Sequence, residues 1–218
     1  GGNDILSTLI PAWHLQQLGI KTDIAGVLSP AAVHVFNGVF EKPINDLTQK
    51  VQRFIRTPQK DIPISLIDSH LPKALTQLPV ENFYSLSFQY GTEHLATQLN
   101  ELIDTNGYDV VIAVDVGGDI LARGPQDETL LSPCMDFTSL YLLQKVEVDS
   151  FLVEFGLGTD GELFQNVLHE IIQELQTQDL ILQESQLHYP DEAVQLFEQI
   201  FHQLRPIRAG HTNTMTLE

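Results

Sequence analysis

The sequence predicts an α/β fold, a Rossmann-like three-layer sandwich with a mostly parallel sheet. Apolar runs of strand length alternate with amphipathic helical patterns along the chain, which is the order expected when helices cover both faces of a parallel sheet. The run Val110 to Val114 is apolar throughout and lacks helical periodicity, so it predicts a strand buried on both faces. We expect residues 1–218 to form a single domain. We also expect a first strand to precede Gly1, because the sequence begins on Gly1-Gly2 without a methionine.

The amino-terminal half predicts alternating helices and strands. Apolar positions from Ile5 to Leu18 have helical spacing, and Gly19 is a suitable helix end. Pro11 predicts a kink or a break in this helix. The later elements of this half are a strand over 22–28, an amphipathic helix over 44–55, a strand over 64–67, a short helix over 71–78 and a strand over 83–88.

The carboxyl-terminal half continues the alternation. Thr92 predicts the cap of a helix that Gly107 ends, and the strand from Val110 follows directly. Ser132-Pro133 is a typical helix start, with Phe137, Leu140 and Tyr141 expected to face inward. The remaining predicted elements are a strand over 151–155, a helix with apolar positions 163, 164, 167, 168, 171, 172 and 175, a strand over 180–182, and a helix that begins at Pro190.

Charge and cysteine content exclude several classes of protein. The formal net charge is −18 and the pI is near 4.6, which argues against nucleic acid as a partner because phosphate contacts need clustered Lys and Arg. Cys134 is the single cysteine, so the chain has no intrachain disulfide and no multi-cysteine zinc site. We therefore expect a cytoplasmic location. No apolar run is long enough to cross a membrane.

Three junctions combine glycines with acidic residues. They are Gly1-Gly2-Asn3-Asp4, Gly117-Gly118-Asp119, and the segment from Gly156 through Gly158, Asp160 and Gly161 to Glu162. If each junction follows a parallel strand, all three lie at the same edge of the sheet, where ligands bind in open α/β folds. The sequence thus predicts an acidic, glycine-lined rim.

Asp115 and Asp119 are the strongest candidates for chemistry in this rim. Asp115 follows the buried strand directly, and Asp119 comes after the two glycines. We expect them to act as ligands of Mg²⁺ or Mn²⁺, or as a general base. A structural alternative is that Asp4, Asp119 and Asp160 cap helices. Asp115 fits that alternative less well, because no helix end follows it.

Gly156, Gly158 and Gly161 match the G-x-G-x-x-G spacing of a dinucleotide fingerprint. Asp160 and Glu162 place negative charge where the pyrophosphate would bind, so a dinucleotide cofactor is not expected. Carboxylates here are better suited to a metal that bridges a phosphate, or to hydrogen bonds with sugar hydroxyls.

Arg123 lies close to the acidic loop in the sequence. It could neutralise Asp119 or Glu128, or bind an anionic substrate through two hydrogen bonds. Cys134 lies near a helix start, which favours a thiolate, but a small packed thiol is the simpler interpretation. His169-Glu170 begins like a zinc-protease motif, but Gln173 stands where the second histidine is required.

These motifs together resemble the family called domain of unknown function 1152. The resemblance is carried by Gly1-Gly2-Asn3-Asp4-Ile5, by the segment from Val114 to Leu121, by Glu128, Ser132-Pro133 and Asp136, and by the segment from Gly156 to Leu163. Such proteins usually begin with a strand that leads into a longer glycine run, and Asn3 stands where a glycine is expected. The resemblance implies no activity, and it supports the fold and the choice of site residues.

The leading hypothesis is an enzyme of hydrolase or transferase type for a small phosphorylated or polyhydroxylated metabolite, with a nucleotide among the candidates. A homo-oligomer is compatible with the sequence. The alternative is a non-catalytic ligand-binding or assembly domain. Besides Asp115 and Asp119, the expected ligand-binding residues are Gly1, Gly2, Asp4, Gly117, Gly118, Arg123, Glu128, Gly156, Gly158, Asp160 and Glu162.

Overall fold

A computed structural model describes residues 6–28, 82–87, 91–124, 127, 129–130, 133–186 and 191–204. The predicted elements over 44–55, 64–67 and 71–78 lie outside these residues. The junction Gly1-Gly2-Asn3-Asp4 and Glu128 lie outside them as well.

The described residues form a mixed α/β structure in which strands and helices follow the predicted order. The strands are β1 (Ile24–Leu28), β2 (Phe83–Ser87), β3 (Val110–Val116) and β4 (Asp149–Phe155); the helices are α1 (Leu9–Gln17), α2 (Thr92–Asn106), α3 (Pro133–Lys145), α4 (Gln165–Thr177) and α5 (Glu192–Leu204).

The four described strands form two parallel pairs. β1 pairs with β2 from Ile24↔Phe83 to Leu28↔Ser87. β3 pairs with β4 from Val110↔Asp149 to Val116↔Phe155. The parallel pairing predicted for the central strand is therefore confirmed, within two small sheets.

Helices pack against both faces of strand β1. Ile24 belongs to a core cluster with α1 and α5, whereas Val27 packs in a second cluster with β2 and α2. Side chains separated by an odd number of positions in a strand point to opposite faces. Phe155 packs in the first cluster and Val111 in the second, so the same division extends to β3 and β4.

A polar cluster joins the amino-terminal ends of three strands. The Asp23 carboxylate accepts hydrogen bonds from the backbone N–H of Asn82 (2.8 Å), from its side-chain amide (3.0 Å) and from the Tyr108 hydroxyl. Asp23 precedes β1, Asn82 precedes β2 and Tyr108 precedes β3. This cluster stabilises one edge of the fold and leaves the carboxyl edge for other groups.

Helix boundaries follow the predicted signals with small shifts. Gly107 adopts a left-handed conformation (φ 66°) and ends α2 as predicted, but Gly91 is the capping position and Thr92 is the first helical residue. Pro11 lies in the first turn of α1, where its missing N–H costs no intrahelical hydrogen bond, so the helix continues through it.

Several predictions about burial and strands are wrong. The segment Leu180 to Leu182 is not a strand, and it has no strand partner in the described part of the chain. Leu180 and Leu182 are exposed. Phe164 is exposed because it is the extended residue before α4. Phe137 is exposed because α3 turns Asp136 and Thr138 inward instead. Val110 is 43% exposed, so β3 is not buried along its whole length.

No helix among the described residues is long and apolar enough to cross a membrane.

Candidate metal centre

The carboxyl ends of β3 and β4 place two acidic side chains next to each other. Asp115 is the register partner of Glu154, and both point to the face that carries Val111. Asp115 is buried, with 3% of its surface exposed. The loops that follow the two strands supply the groups that surround these carboxylates.

Hydrogen bonds join the loop after β3 to the end of β4. The Gly117 N–H donates to the Phe155 carbonyl (2.9 Å) and also to Oε1 of Glu154 (3.0 Å). The Gly117 carbonyl in turn accepts a hydrogen bond from the Gly158 N–H (2.6 Å). Two of the predicted glycine-acid junctions therefore lie side by side, although the Gly117 N–H is directed to protein acceptors.

Asp160 connects the same two loops through its carboxylate. Oδ2 accepts the Asp119 N–H (3.2 Å) and Oδ1 accepts the Glu162 N–H (2.9 Å). Its side chain packs so closely on Gly117 that a Cβ there would lie 2.4 Å from Oδ2 of Asp160. Asp160 therefore binds the first N–H of the short 3-10 helix Asp119–Leu121. It does not cap the helix that follows it, because α4 begins at Gln165 with Phe164 at the capping position.

Three buried carboxylates converge beside these loops. Asp115, Asp119 and Asp136 each present one ligand oxygen, and these oxygens lie within 4.8 Å of one another. Two ligands of one ion can be separated by at most twice the metal–oxygen distance, about 4.2 Å for Mg²⁺ and about 5 Å for Ca²⁺. The three carboxylates could therefore hold a hard divalent cation after a closure of a few tenths of an ångström.

Asp136 was not among the predicted site residues. It lies in the first turn of α3, where an acidic residue usually interacts with the helix dipole. The signal available in the sequence was its position just after Ser132-Pro133. α3 carries it to the acidic rim, and its side chain is 7% exposed.

Burial and neighbouring charges raise the pKa values of Asp119, Glu154 and Asp160. Burial, followed by the charges of Asp136 and Asp115, raises the pKa of Asp119 well above its usual range. Burial and the neighbouring Asp115 raise the pKa of Glu154 to about 11. Burial also raises the pKa of Asp160, although the two backbone N–H donors oppose this shift. Such a cluster favours the uptake of protons or cations.

Two oxygens in this cluster are buried without a hydrogen-bond partner. They are Oδ2 of Asp115 and Oε2 of Glu154. Two ionised carboxylates cannot donate to each other, so a hydrogen bond between these residues requires a proton on one of them. A bound cation would satisfy both oxygens equally well.

Arg123 is directed to helix α4. Its guanidinium contacts Glu174 (2.7 Å) and Glu170 (3.7 Å), and its backbone N–H donates to the Asp127 carboxylate (2.6 Å). Both glutamates are more than half exposed. These contacts give Arg123 a structural partner that its sequence position did not reveal.

The three glycines of the G-x-G-x-x-G segment all have positive φ angles, from 60° to 83°. Helix α4 begins at Gln165 and is preceded by Phe164, so Gly161 is not at the helix start that a dinucleotide fingerprint requires. The turn between β4 and α4 is therefore sufficient to explain these glycines.

The interpretation of Cys134 as a small packed thiol is wrong, because this side chain is exposed.

Comparison with known proteins identifies one family. The family model described as "Protein of unknown function (DUF1152)" matches residues 1–206. No curated protein and no solved structure gives a significant match.

Proposed function

The chain belongs to the DUF1152 family, and we propose that it is an enzyme that uses a divalent cation, Mg²⁺ or Mn²⁺, to act on a small phosphorylated or polyhydroxylated metabolite. The reaction type that best suits the site is hydrolysis or group transfer. The family description assigns no activity, so the proposal depends on the geometry and charge of the site.

The observation that carries the proposal is the convergence of Asp115, Asp119 and Asp136. Their ligand oxygens lie within 4.8 Å of one another although the residues come from a strand, a 3-10 helix and an α-helix. All three side chains are buried. Bringing buried carboxylates together costs free energy unless a cation or protons compensate their charge. Oxygen ligands of this kind are those that Mg²⁺ and Mn²⁺ prefer.

Electrostatics also favours a cation as part of the reaction. A phosphate group would be repelled by the carboxylates unless a cation lay between them. With the cation in place, Asp115, Asp119 and Asp136 act as its ligands. Without it, the raised pKa of Asp119 lets that residue hold a proton close to neutral pH, which is the property of a general acid or base.

The glycine loops form the rim that receives the ligand in this proposal. Gly118, Gly158 and Glu162 flank Asp119 and Asp160 in the sequence, and the hydrogen bond between Gly158 and Gly117 brings the two loops together. A Rossmann-like three-layer sandwich is the architecture we propose for the chain. Its support is the packing of Ile24 and Val27 against different helices on opposite faces of β1.

A second candidate is a non-catalytic ligand-binding or assembly domain. Asp160 favours it, because both of its carboxylate oxygens accept backbone N–H groups. Arg123 favours it as well, because its guanidinium pairs with glutamates of α4. In that case the acidic rim stabilises the loops and binds no metal.

Thermal unfolding separates the two candidates. The protein is stripped with EDTA and melted with increasing Mg²⁺ or Mn²⁺, together with Asp115→Asn, Asp119→Asn and the control Asp104→Asn. Asp104 is exposed on α2, so its substitution makes the same chemical change away from the site. The enzyme proposal predicts that Mn²⁺ at 100 times its Kd stabilises the parent and the control by about 2.7 kcal/mol.

The Asp115 and Asp119 variants should lose this stabilisation. An unchanged melting temperature of the parent at millimolar concentrations of both cations would favour the non-catalytic candidate. If a cation binds, thermal unfolding is repeated with nucleotides, sugar phosphates and free sugars. The compounds that raise the melting temperature identify the class of ligand.

A further inference from the structure

We propose that the site holds two divalent cations, bridged by Asp115, and that its substrate is therefore a phosphate ester or anhydride. This inference rests on the proposed function, because the first cation is the one assigned to Asp115, Asp119 and Asp136. The second cation lies between Asp115 and Glu154. It extends the site from the triad of aspartates to the end of β4.

Two buried carboxylate oxygens lack a hydrogen-bond partner. Asp115 is 97% buried, since 3% of its surface is exposed, and its Oδ2 has no partner. Oε2 of Glu154 is likewise buried without one. A carboxylate has two oxygens, and one oxygen of Asp115 is enough for the triad. We assign the other oxygen to an ion on the Glu154 side.

A hydrogen bond fixes the orientation of Glu154. Its Oε1 accepts the Gly117 N–H at 3.0 Å, which fixes the carboxylate and leaves Oε2 as the remaining ligand atom. Asp115 and Glu154 are register partners on adjacent parallel strands, so their backbones are about 4.8 Å apart and their side chains share one face. One ion can therefore contact both carboxylates.

The balance of charge also favours a second cation. Asp115, Asp119, Asp136 and Glu154 carry four negative charges when ionised. One divalent cation leaves two of those charges uncompensated in a buried site, whereas two cations neutralise all four. Asp160 is left out of this balance because its two oxygens accept the Asp119 and Glu162 N–H groups and it does not belong to the triad.

The number of cations narrows the class of substrate. Two cations about 3.5–4 Å apart stabilise both the attacking and the leaving oxygen of an in-line displacement at phosphorus. A site that only bound sugar hydroxyls would not need the second cation. Phosphate esters and anhydrides are thus favoured over the unphosphorylated polyhydroxylated compounds that the first cation alone would permit.

The competing arrangement has a single proton between Asp115 and Glu154 in place of the second cation. Equilibrium dialysis of the metal-free protein against Mn²⁺, with the metal counted by mass spectrometry, distinguishes the two. The expected result is two Mn²⁺ per chain in the parent and in the control Asp104→Asn. Glu154→Gln should bind one Mn²⁺, because the amide keeps the shape of the side chain and loses its charge.

Electron paramagnetic resonance of the parent protein supplies a readout that does not depend on any variant. Two Mn²⁺ bridged by Asp115 should give a spin-coupled spectrum at two equivalents. One Mn²⁺ per chain in both the parent and Glu154→Gln would overturn this inference and leave the proposed function intact. Two Mn²⁺ with the six-line spectrum of isolated ions would overturn the bridge. No bound Mn²⁺ in the folded parent would overturn both proposals.

Discussion

Asp115 and Glu154 are register partners at the carboxyl ends of β3 and β4, and each has one buried carboxylate oxygen without a hydrogen-bond partner. Because of this relationship, the acidic rim lowers the free energy of unfolding when no cation or proton compensates its charge. Like charges in a buried site repel each other, and the strand pairing does not let these two side chains separate.

The first prediction concerns the stability of the metal-free protein. Glu154→Gln should raise the free energy of unfolding at pH 7.5 by about 1–3 kcal/mol, because it removes a buried acidic group next to Asp115 and keeps an acceptor for the Gly117 N–H. Urea unfolding in EDTA measures the change. Glu147→Gln, outside the carboxylate cluster, is the matched control and should have no effect above about 0.5 kcal/mol. A loss of stability in Glu154→Gln would contradict this explanation.

The second prediction concerns the contact between Asp160 and Gly117. Gly117→Ala should destabilise the protein by at least about 2 kcal/mol, because its φ is 118° and the new Cβ would lie 2.4 Å from Oδ2 of Asp160. Gly161 also has a positive φ (72°) but has no atom within 4 Å of the Cβ position. Gly161→Ala should therefore cost only the backbone strain, about 1 kcal/mol.

A double-mutant cycle separates the steric part of the Gly117 effect. If the contact is responsible, Asp160→Ala should recover part of the stability that Gly117→Ala loses, in urea unfolding of all four proteins. If Gly117→Ala and Gly161→Ala lower the free energy of unfolding equally, the close approach of Asp160 to Gly117 does not affect stability.

The third prediction concerns pH and the polar cluster at the opposite edge. Burial disfavours ionised Asp23, but hydrogen bonds from Tyr108 and Asn82 outweigh it and lower the pKa of Asp23. Burial and the hydrogen bond to Asp23 raise the pKa of Tyr108. A carboxylic acid whose pKa is lower in the folded than in the unfolded protein stabilises the fold at pH values above its pKa in the unfolded protein. This stabilisation is lost as the pH falls. A tyrosine whose pKa is higher in the folded than in the unfolded protein stabilises the fold at pH values below about 10. This stabilisation is lost as the pH rises further.

Tyr108→Phe should consequently destabilise the protein by about 1 kcal/mol between pH 5 and 9. The difference from the parent should shrink below about pH 4 and above about pH 10. Urea unfolding across this range measures it. A difference that is constant over the whole range would show that the Asp23 hydrogen bond does not contribute.

The sequence predicted where the site lies better than it predicted which residues form it. Asp115 and Asp119 follow an apolar run and a glycine pair, which are local signals of a strand end and a turn. Glu154 and Asp136 carry no such signal. Glu154 lies inside the strand segment Phe151 to Phe155, and its partner is known only from the register of β3 with β4.

Helix α3 illustrates why the inward face was predicted incorrectly. Apolar periodicity assigned Phe137 to the interior, but Asp136 and Thr138 are buried and Phe137 is partly exposed. Local rules of this kind are expected to fail where a fold positions polar groups for function. The fold class was accessible from the alternation of strands and helices, whereas the pairing of the strands depends on contacts between distant segments.

The most direct test of the central claim is an anomalous diffraction map from a crystal grown with Mn²⁺. The proposed metal centre predicts a Mn²⁺ peak with one oxygen each of Asp115, Asp119 and Asp136 about 2.1–2.3 Å away. An ordered site with these three carboxylates in place and no peak at millimolar Mn²⁺ would contradict the proposed metal centre.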